Sequence, residues 1–182
     1  MTPTEMLRHD HEIILRFLED AEQTASSINT TGQVDTVEIA RMIDFLRNFA
    51  DNNHHSKEEH HFFVTLVEHG MPVGHGPIAV MLCEHEEGRQ LLKTIENAVA
   101  DAKAGVASAI KRIADSLFLY VELLRAHIEK ENEILFPIAD SLLDPAEQTA
   151  LTAELQLVEA AQGRGQEAYA KFKQYSALVD LP

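Results

Sequence analysis

Two copies of one pattern of metal-ligand residues run through this 182-residue chain. In the first copy, Asp10-His11 precedes an H-x-x-K-E motif that opens at His54. In the second copy, Glu84-His85 precedes another H-x-x-K-E motif, which opens at His127. Imidazole and carboxylate groups without thiolates suit iron or manganese, and zinc can also occupy such sites. The repeat therefore predicts a dinuclear metal site built by both copies.

The spacing within each motif places a carboxylate beside an imidazole. A His and a Glu four positions apart lie on one face of a helix, one turn from each other. The other residues on these faces are apolar, so the polar side chains point into a core. Burying two carboxylates without compensating charge is costly, and bound cations remove that cost. A His/Glu network that shares protons without metal is the alternative. The candidate metal ligands are His11, His54, Glu58, His85, His127 and Glu131.

The chain has 10 histidines. Helical position separates the four candidate ligands among them from the others. With an uninterrupted α-helix, His55 and Glu59 share a face with polar residues rather than with the core. We therefore expect both side chains at the surface, and we expect Glu59 to be dispensable for metal binding.

Two further residues face inward and are candidates for a role beside the metals. His61 lies three positions after Glu58, although the second copy has Ile134 at its place. It is either a fifth His ligand or a proton donor beside the site. Tyr120 lies two turns before His127, where its hydroxyl could hydrogen-bond a bound oxygen species or could simply belong to the core.

The elements that must position these residues are helices. Glycine and proline are sparse, helix-forming residues are plentiful, and no stretch shows the alternation of a strand. Capping residues and breakers divide the chain, and Pro137 is expected to kink or unwind the fourth helix. We predict a single all-α domain over residues 1–182: an antiparallel up-down four-helix bundle over about 3–143, with an extra C-terminal helical extension over 145–178. The predicted helices run from Thr2 to a break at 26–33, from Asp35 to Gly70, from Pro77 to Gly105, from Ser108 to Leu143, and from Asp144 onward.

Charge and composition exclude several classes of partner. The formal net charge is −15, which argues against nucleic acid and against an anionic membrane surface. No apolar run is long enough for a membrane span, and the first residues do not form a secretory signal. The single cysteine, Cys83, is expected in the core and permits no internal disulfide. A reducing, cytoplasmic location fits these features.

The combined motifs resemble the hemerythrin-like, or HHE cation-binding, family. The resemblance covers about residues 3–143 and includes the apolar pairs Phe62-Phe63 and Leu135-Phe136, which follow the two H-x-x-K-E motifs at one offset. It implies a four-helix bundle that holds two iron ions with an oxo or hydroxo bridge. It also implies terminal ligation by the four histidines proposed above and bridging by Glu58 and Glu131.

One departure from the family bears on function. Oxygen-carrying hemerythrins have a second His one turn from the third-helix ligand, and this chain has Met81 and Arg89 at those places. We therefore expect a more open site that binds or reduces oxygen, peroxide or nitric oxide, with peroxidase- or catalase-like chemistry if it is an enzyme. The alternative is an iron- or oxygen-sensing or iron-donating module without turnover. The expected partner is a small diatomic or peroxide ligand, and the chain is expected to be a monomer or a homodimer.

Overall fold

The described part of the chain is entirely helical. The computed structural model describes residues 1–162, and these residues form no strand. The all-α prediction is confirmed for this part; the predicted extension from 163 to 178 lies outside it. None of the described helices is both long enough and apolar enough to cross a membrane. The helices are α1 (Pro3–Thr31), α2 (36–68), α3 (Pro77–Lys103), α4 (108–142) and α5 (Pro145–Gln162).

The first helix begins where the sequence predicts and ends later. Thr2 forms a capping box with Glu5, in which each side chain bonds the backbone N–H of the other. The predicted break at Ser26 is wrong, because α1 continues to Thr31 and stops at Gly32, whose φ of 66° is left-handed. Threonine hydroxyls of the last turn donate to carbonyl oxygens one turn earlier, so the polar residues there do not end the helix.

Side-chain contacts show how neighbouring helices run. In α1 and α4, Thr4 bonds Asp140 and Glu22 pairs with Arg125, so residue numbers fall in one helix as they rise in the other. The pair is therefore antiparallel. By the same criterion α2 is antiparallel to α3, and α3 is antiparallel to α4. These pairings bring the two H-x-x-K-E motifs and the two isolated histidines to one end of the molecule.

Both helices that carry an H-x-x-K-E motif contain π-helical turns. The N–H of Phe63 donates to the carbonyl of Glu58, and the N–H of Phe136 donates to that of Glu131, five residues earlier in each case. A longer π segment, over Leu46–His55, runs into the first motif and includes His54. Each π turn inserts residues relative to α-helical phase and redirects the side chains around it. The motifs thus sit on helices whose faces do not follow a period of 3.6.

The second π turn agrees with the predicted disturbance at Pro137. Because Phe136 bonds Glu131, and Pro137 has no N–H to donate, the carbonyl of Asn132 has no partner in its own helix. It accepts instead from the guanidinium of Arg8 on α1, at 2.6 Å. A local widening of the helix therefore fixes α4 to α1 beside the site.

The fifth helix covers the end of the bundle that holds the motifs. Leu151 and Leu155 are buried in a hydrophobic cluster with Phe62 and Phe136, whereas Leu157 is exposed. Glu159 accepts a hydrogen bond at 2.8 Å from Lys57, whose side chain is fully buried. The described part of the extension thus packs on its own bundle.

Gly88 offers a test of the packing between α3 and α4. A Cβ there would lie 3.6 Å from Tyr120 and 3.9 Å from Leu123, which are ordinary van der Waals distances. Because glycine weakens a helix interior, we expect Gly88→Ala to stabilise the fold by ~0.5–1 kcal/mol. Thermal denaturation followed by circular dichroism should show a melting temperature higher by about 2–4 °C.

Gly32→Ala is the matched control, because it changes the same residue type at a left-handed position. Its φ of 66° should make the alanine variant less stable than the wild type by about 1 kcal/mol. A lower melting temperature for Gly88→Ala would contradict the packing described here.

Candidate metal centre

Buried imidazoles and carboxylates from four helices meet at one end of the bundle. The six predicted ligands are at most 1 % exposed. They form two groups together with one further histidine, and within each group the ligand atoms lie within 4.8 Å of one another. The two-His group consists of His11, His54, Glu58 and Glu131, and the three-His group consists of His55, Glu58, His85 and His127. Either group could hold a metal ion.

The two motif glutamates lie between the groups. The two carboxylate oxygens of Glu58 lie 3.4 Å from His54 Nε2 and 3.5 Å from His85 Nε2. Glu131 Oε2 lies 3.1 Å from His11 Nε2 and 3.3 Å from His127 Nε2. Each glutamate therefore faces histidines of both groups. This is the placement that a carboxylate needs to contact two metal ions at once.

The prediction that His55 lies at the surface is wrong. Its side chain is buried, not solvated, and its ring stacks on that of His85 with centroids 3.8 Å apart. The prediction assumed α-helical phase, whereas His55 ends the π-helical segment Leu46–His55. The repeat carried no signal either, because Ile128 stands at the equivalent place in the second copy.

Repeat-equivalent residues hold the outer nitrogens of the two motif histidines. His54 Nδ1 lies 3.1 Å from Asp10, which also accepts from Lys57 at 2.6 Å. In the second copy, Glu84 takes the same two roles toward His127 and Lys130. A carboxylate on Nδ1 fixes the ring and its tautomer, so that Nε2 points inward as an acceptor. The lysine of each motif thus supports the histidine of the same motif through a carboxylate on another helix.

The other two histidines are held across the two copies. His11 Nδ1 lies 3.0 Å from the amide oxygen of Asn132, and His85 Nδ1 lies 2.7 Å from Glu59. Asn132 and Glu59 each directly follow a motif glutamate. The expectation that Glu59 faces solvent away from the site is wrong, since this carboxylate orients His85. The same π-helical phase that buries His55 accounts for the error.

The charges around the groups leave a place for cations. Lys57 and Lys130 neutralise Asp10 and Glu84, and Arg89 pairs with Glu59. Several polar atoms at the centre are buried without a hydrogen-bond partner among the described residues. They include both carboxylate oxygens of Glu58 and of Glu131 and the Nε2 atoms of His11 and His54. Such atoms are costly unless a cation satisfies them. The donor set fits divalent transition-metal ions of the kind bound by imidazole and carboxylate.

The pKa values of two histidines show how the buried charges of the site act on its imidazoles. Burial lowers the pKa of His127, but the charge of Glu131, hydrogen bonds to Glu131 and Glu84, and the charge of Glu58 outweigh it and raise the pKa to about 10. Burial and the neighbouring histidines instead hold the pKa of His55 well below its usual range. The glutamates therefore attract positive charge, and His55 stays a neutral imidazole, which is the form that binds metals.

The comparison with known families agrees with this geometry. The model of the hemerythrin HHE cation-binding domain matches residues 2–139. The chain belongs to this family. No curated protein and no solved structure matches it. The hemerythrin match includes all seven side chains of the two groups and ends before α5.

Two residues predicted beside the hemerythrin centre lie outside both ligand groups. The side chain of His61 is 31 % exposed and lies 3.5 Å from Glu154 of α5. The expectation that it faces the candidate metal ligands is therefore wrong. Tyr120 is buried in the main hydrophobic cluster, and burial together with the charge of Asp51 raises its pKa. Cys83 is exposed rather than part of the core. The phase change in α2 explains the placement of His61 as it does that of His55.

Substitution of His55 tests whether the fifth imidazole binds metal. We expect His55→Ala to weaken retention of one metal ion per chain, because it removes one of three imidazoles from the three-His group. Metal content after dialysis, measured by elemental analysis, is the readout. His61→Ala is the matched control on the same helix and should keep the wild-type metal content. Equal metal content in both variants would contradict a ligand role for His55.

Proposed function

We propose that this protein is a non-haem di-iron protein of an up-down four-helix bundle type that binds or reduces a small oxidant, namely oxygen, peroxide or nitric oxide. The observation that supports this most directly is the pair of buried donor groups that share Glu58. Five imidazoles and two carboxylates distributed over two positions suit iron, and manganese or zinc could also be accommodated. Membership of a cation-binding family agrees with a metal-dependent role.

The burial of the ligands restricts what can react there. Every side chain of the two groups is at most 4 % exposed, so a bulky substrate has no direct contact with the metals. A groove of about 860 Å³ lies instead where α1 ends and α2 begins, and its walls include Asp20, Ile28 and Glu38. It contains none of the ligand residues. A molecule of two to four atoms is therefore the substrate class that fits the site best.

The iron ions, when bound, would supply two electrons and coordination positions for the oxidant. The protein contributes the arrangement around them. Glu58 and Glu131 face histidines of both groups and would contact the bound ions, and the carboxylates behind His54 and His127 keep those imidazoles oriented toward the centre of the site. The apolar residues of both clusters exclude bulk water from this end of the bundle. Such burial strengthens the electrostatic interactions within the site.

The number of histidines no longer separates oxidant reduction from reversible oxygen binding. Met81 and Arg89 do stand where a carrier has its second third-helix His. However, His55 of α2 adds an imidazole to the same group as His85. Oxidant reduction is therefore retained as the proposal on the basis of the chemistry of two adjacent iron ions, rather than on a missing ligand.

A sensing or iron-donating role without turnover is the second candidate, and a series of three contacts favours it. Glu159 of α5 bonds Lys57, Lys57 bonds Asp10, and Asp10 holds His54. The family match does not include α5. A helix outside the family domain is thus joined to a metal ligand by three consecutive polar contacts, so its docking can depend on the state of the site.

Elemental analysis and an absorption spectrum of the aerobically purified protein test the metal assignment. We expect about two iron ions per chain and the near-ultraviolet bands of a bridged di-ferric centre. Peroxide consumption and nitric oxide binding then distinguish the candidates. Multiple turnovers of peroxide per chain favour oxidant reduction. A stable, reversible oxygen adduct without peroxide turnover would contradict it, and stoichiometric reaction without turnover would favour the sensing role.

Substitution of Glu58 and substitution of Glu131 should have the same effect on metal content. We expect Glu58→Ala and Glu131→Ala each to abolish the dinuclear site, because each removes an anion that faces both ligand groups. Elemental analysis and loss of the di-ferric bands check this expectation. Glu129→Ala, an exposed position on α4, is the control and should retain both metals. Two iron ions bound in either of the Glu58 or Glu131 variants would refute the bridging assignment.

A further inference from the structure

Arg89 joins two carboxylates behind the three-His group. From α3, its Nε donates to Asp51 at 2.8 Å and its Nη2 donates to Glu59 at 2.6 Å, both on α2. A more distant contact, at 3.9 Å, links it to Glu86 on its own helix. The guanidinium fork can bond two acceptors in fixed directions, which an ammonium group cannot do. One cation thus holds two carboxylates at defined positions.

Each of these carboxylates faces a histidine of the three-His group. Glu59 accepts from His85 Nδ1 at 2.7 Å. Asp51 lies 3.5 Å from His55 Nδ1, one turn away on the same helix, and this nitrogen has no hydrogen bond among the described residues. The two histidine rings stack on each other. Arg89 therefore contacts both residues that stand behind this stacked pair of imidazoles.

The other copy of the repeat has no such arrangement. Leu15 stands four residues after His11, as Arg89 stands four residues after His85. The places of Asp51 and His55 are taken by buried Leu124 and Ile128. The support of His11 is the neutral amide of Asn132, whereas that of His85 is an ionised carboxylate: burial would raise the pKa of Glu59, but bonds from His85 and Arg89 lower it to about 2. The two metal positions therefore differ in their surroundings as well as in their number of histidines.

We propose that Arg89 is a positioning residue that makes the three-His position the tighter of the two metal sites, by holding Asp51 and Glu59 against His55 and His85. This inference rests on the dinuclear site of the proposed function. Without the guanidinium, Asp51 and Glu59 lose their shared cation and, being partly exposed, can turn toward solvent. His85 then loses the carboxylate that is bonded to its Nδ1, and His55 loses the charged group beside its Nδ1. Loss of such outer partners typically lowers metal affinity by roughly 10–100-fold.

The test is a chelator titration of the full-length, metal-loaded protein, with metal per chain and the absorption spectrum as readouts. Wild type should release its two metals in two steps. In Arg89→Met, the apparent affinity of the more tightly held metal should fall by roughly 10–100-fold, so the later step should occur at a lower chelator concentration. The earlier step should stay in place. Arg47→Met is the matched control, because Arg47 also joins α2 to α3, through Glu96 at 2.8 Å. It should leave both steps unchanged.

Two backgrounds identify which metal Arg89 affects. In His11→Ala, which weakens the two-His position, adding Arg89→Met should weaken the metal that remains. In His55→Ala, adding Arg89→Met should have a smaller effect than in wild type, since part of the interaction is already absent. Equal effects of Arg89→Met on both steps, or an effect that is independent of these backgrounds, would overturn the proposal.

Arg89→Lys separates positioning from charge and folding. It keeps a cation between α2 and α3 but lacks the planar fork, so we expect a folded protein, by circular dichroism, with a weakened later step. Wild-type affinity in Arg89→Lys would overturn the proposal even if Arg89→Met does not fold. Fewer than two metals in wild type would refute the dinuclear site and this inference with it. Two metals in wild type with unchanged affinity in Arg89→Met would refute only the role of Arg89.

Discussion

The constraint on which this structure depends is the burial of two carboxylates, Glu58 and Glu131, in the centre of a helical bundle. Both side chains are fully buried, and their oxygens face imidazoles rather than lysine or arginine. A protein interior tolerates such groups only with compensating positive charge. Metal ions supply that charge, so the stability of this end of the bundle and its metal binding become one property. The apolar clusters around the site keep water away from the two carboxylates, so water can stabilise their charge only a little.

The polar residues behind the histidines form a second layer that obeys the same constraint. Each of the anions that orient His54, His85 and His127 is paired with a cationic side chain: Lys57, Arg89 or Lys130. This layer fixes the imidazoles without adding unpaired charge to the interior. It explains why a lysine precedes the glutamate in each motif. Each of these pairs joins one helix of the bundle to the next, and α5 joins the same layer through Glu159.

The repeat makes the centre nearly symmetric, and π-helical turns make it asymmetric. Both copies place a π turn directly at the motif glutamate. The first copy has an additional π segment that ends at His55, and this segment delivers the fifth imidazole. On that side Arg89 holds Asp51 and Glu59, which lie behind His55 and His85. Two chemically different groups of candidate ligands therefore arise from a duplicated pattern.

The sequence by itself determined the all-helical class, most helix boundaries and six of the side chains that the structure brings together, because these depend on local signals: caps, breakers and a repeated i, i+4 pair. Thr2, Asp35 and Pro77 begin their helices as predicted. Only the tertiary structure decided which side chains face the site around the motifs. His55 and Glu59 were assigned to solvent and His61 to the site, because a period of 3.6 was assumed where the helix is π. That phase is set by packing against other helices, by buried charge that must be satisfied and by contacts such as that of Arg8 with Asn132. None of these can be seen in a local pattern, since the partners lie on helices far away in the chain.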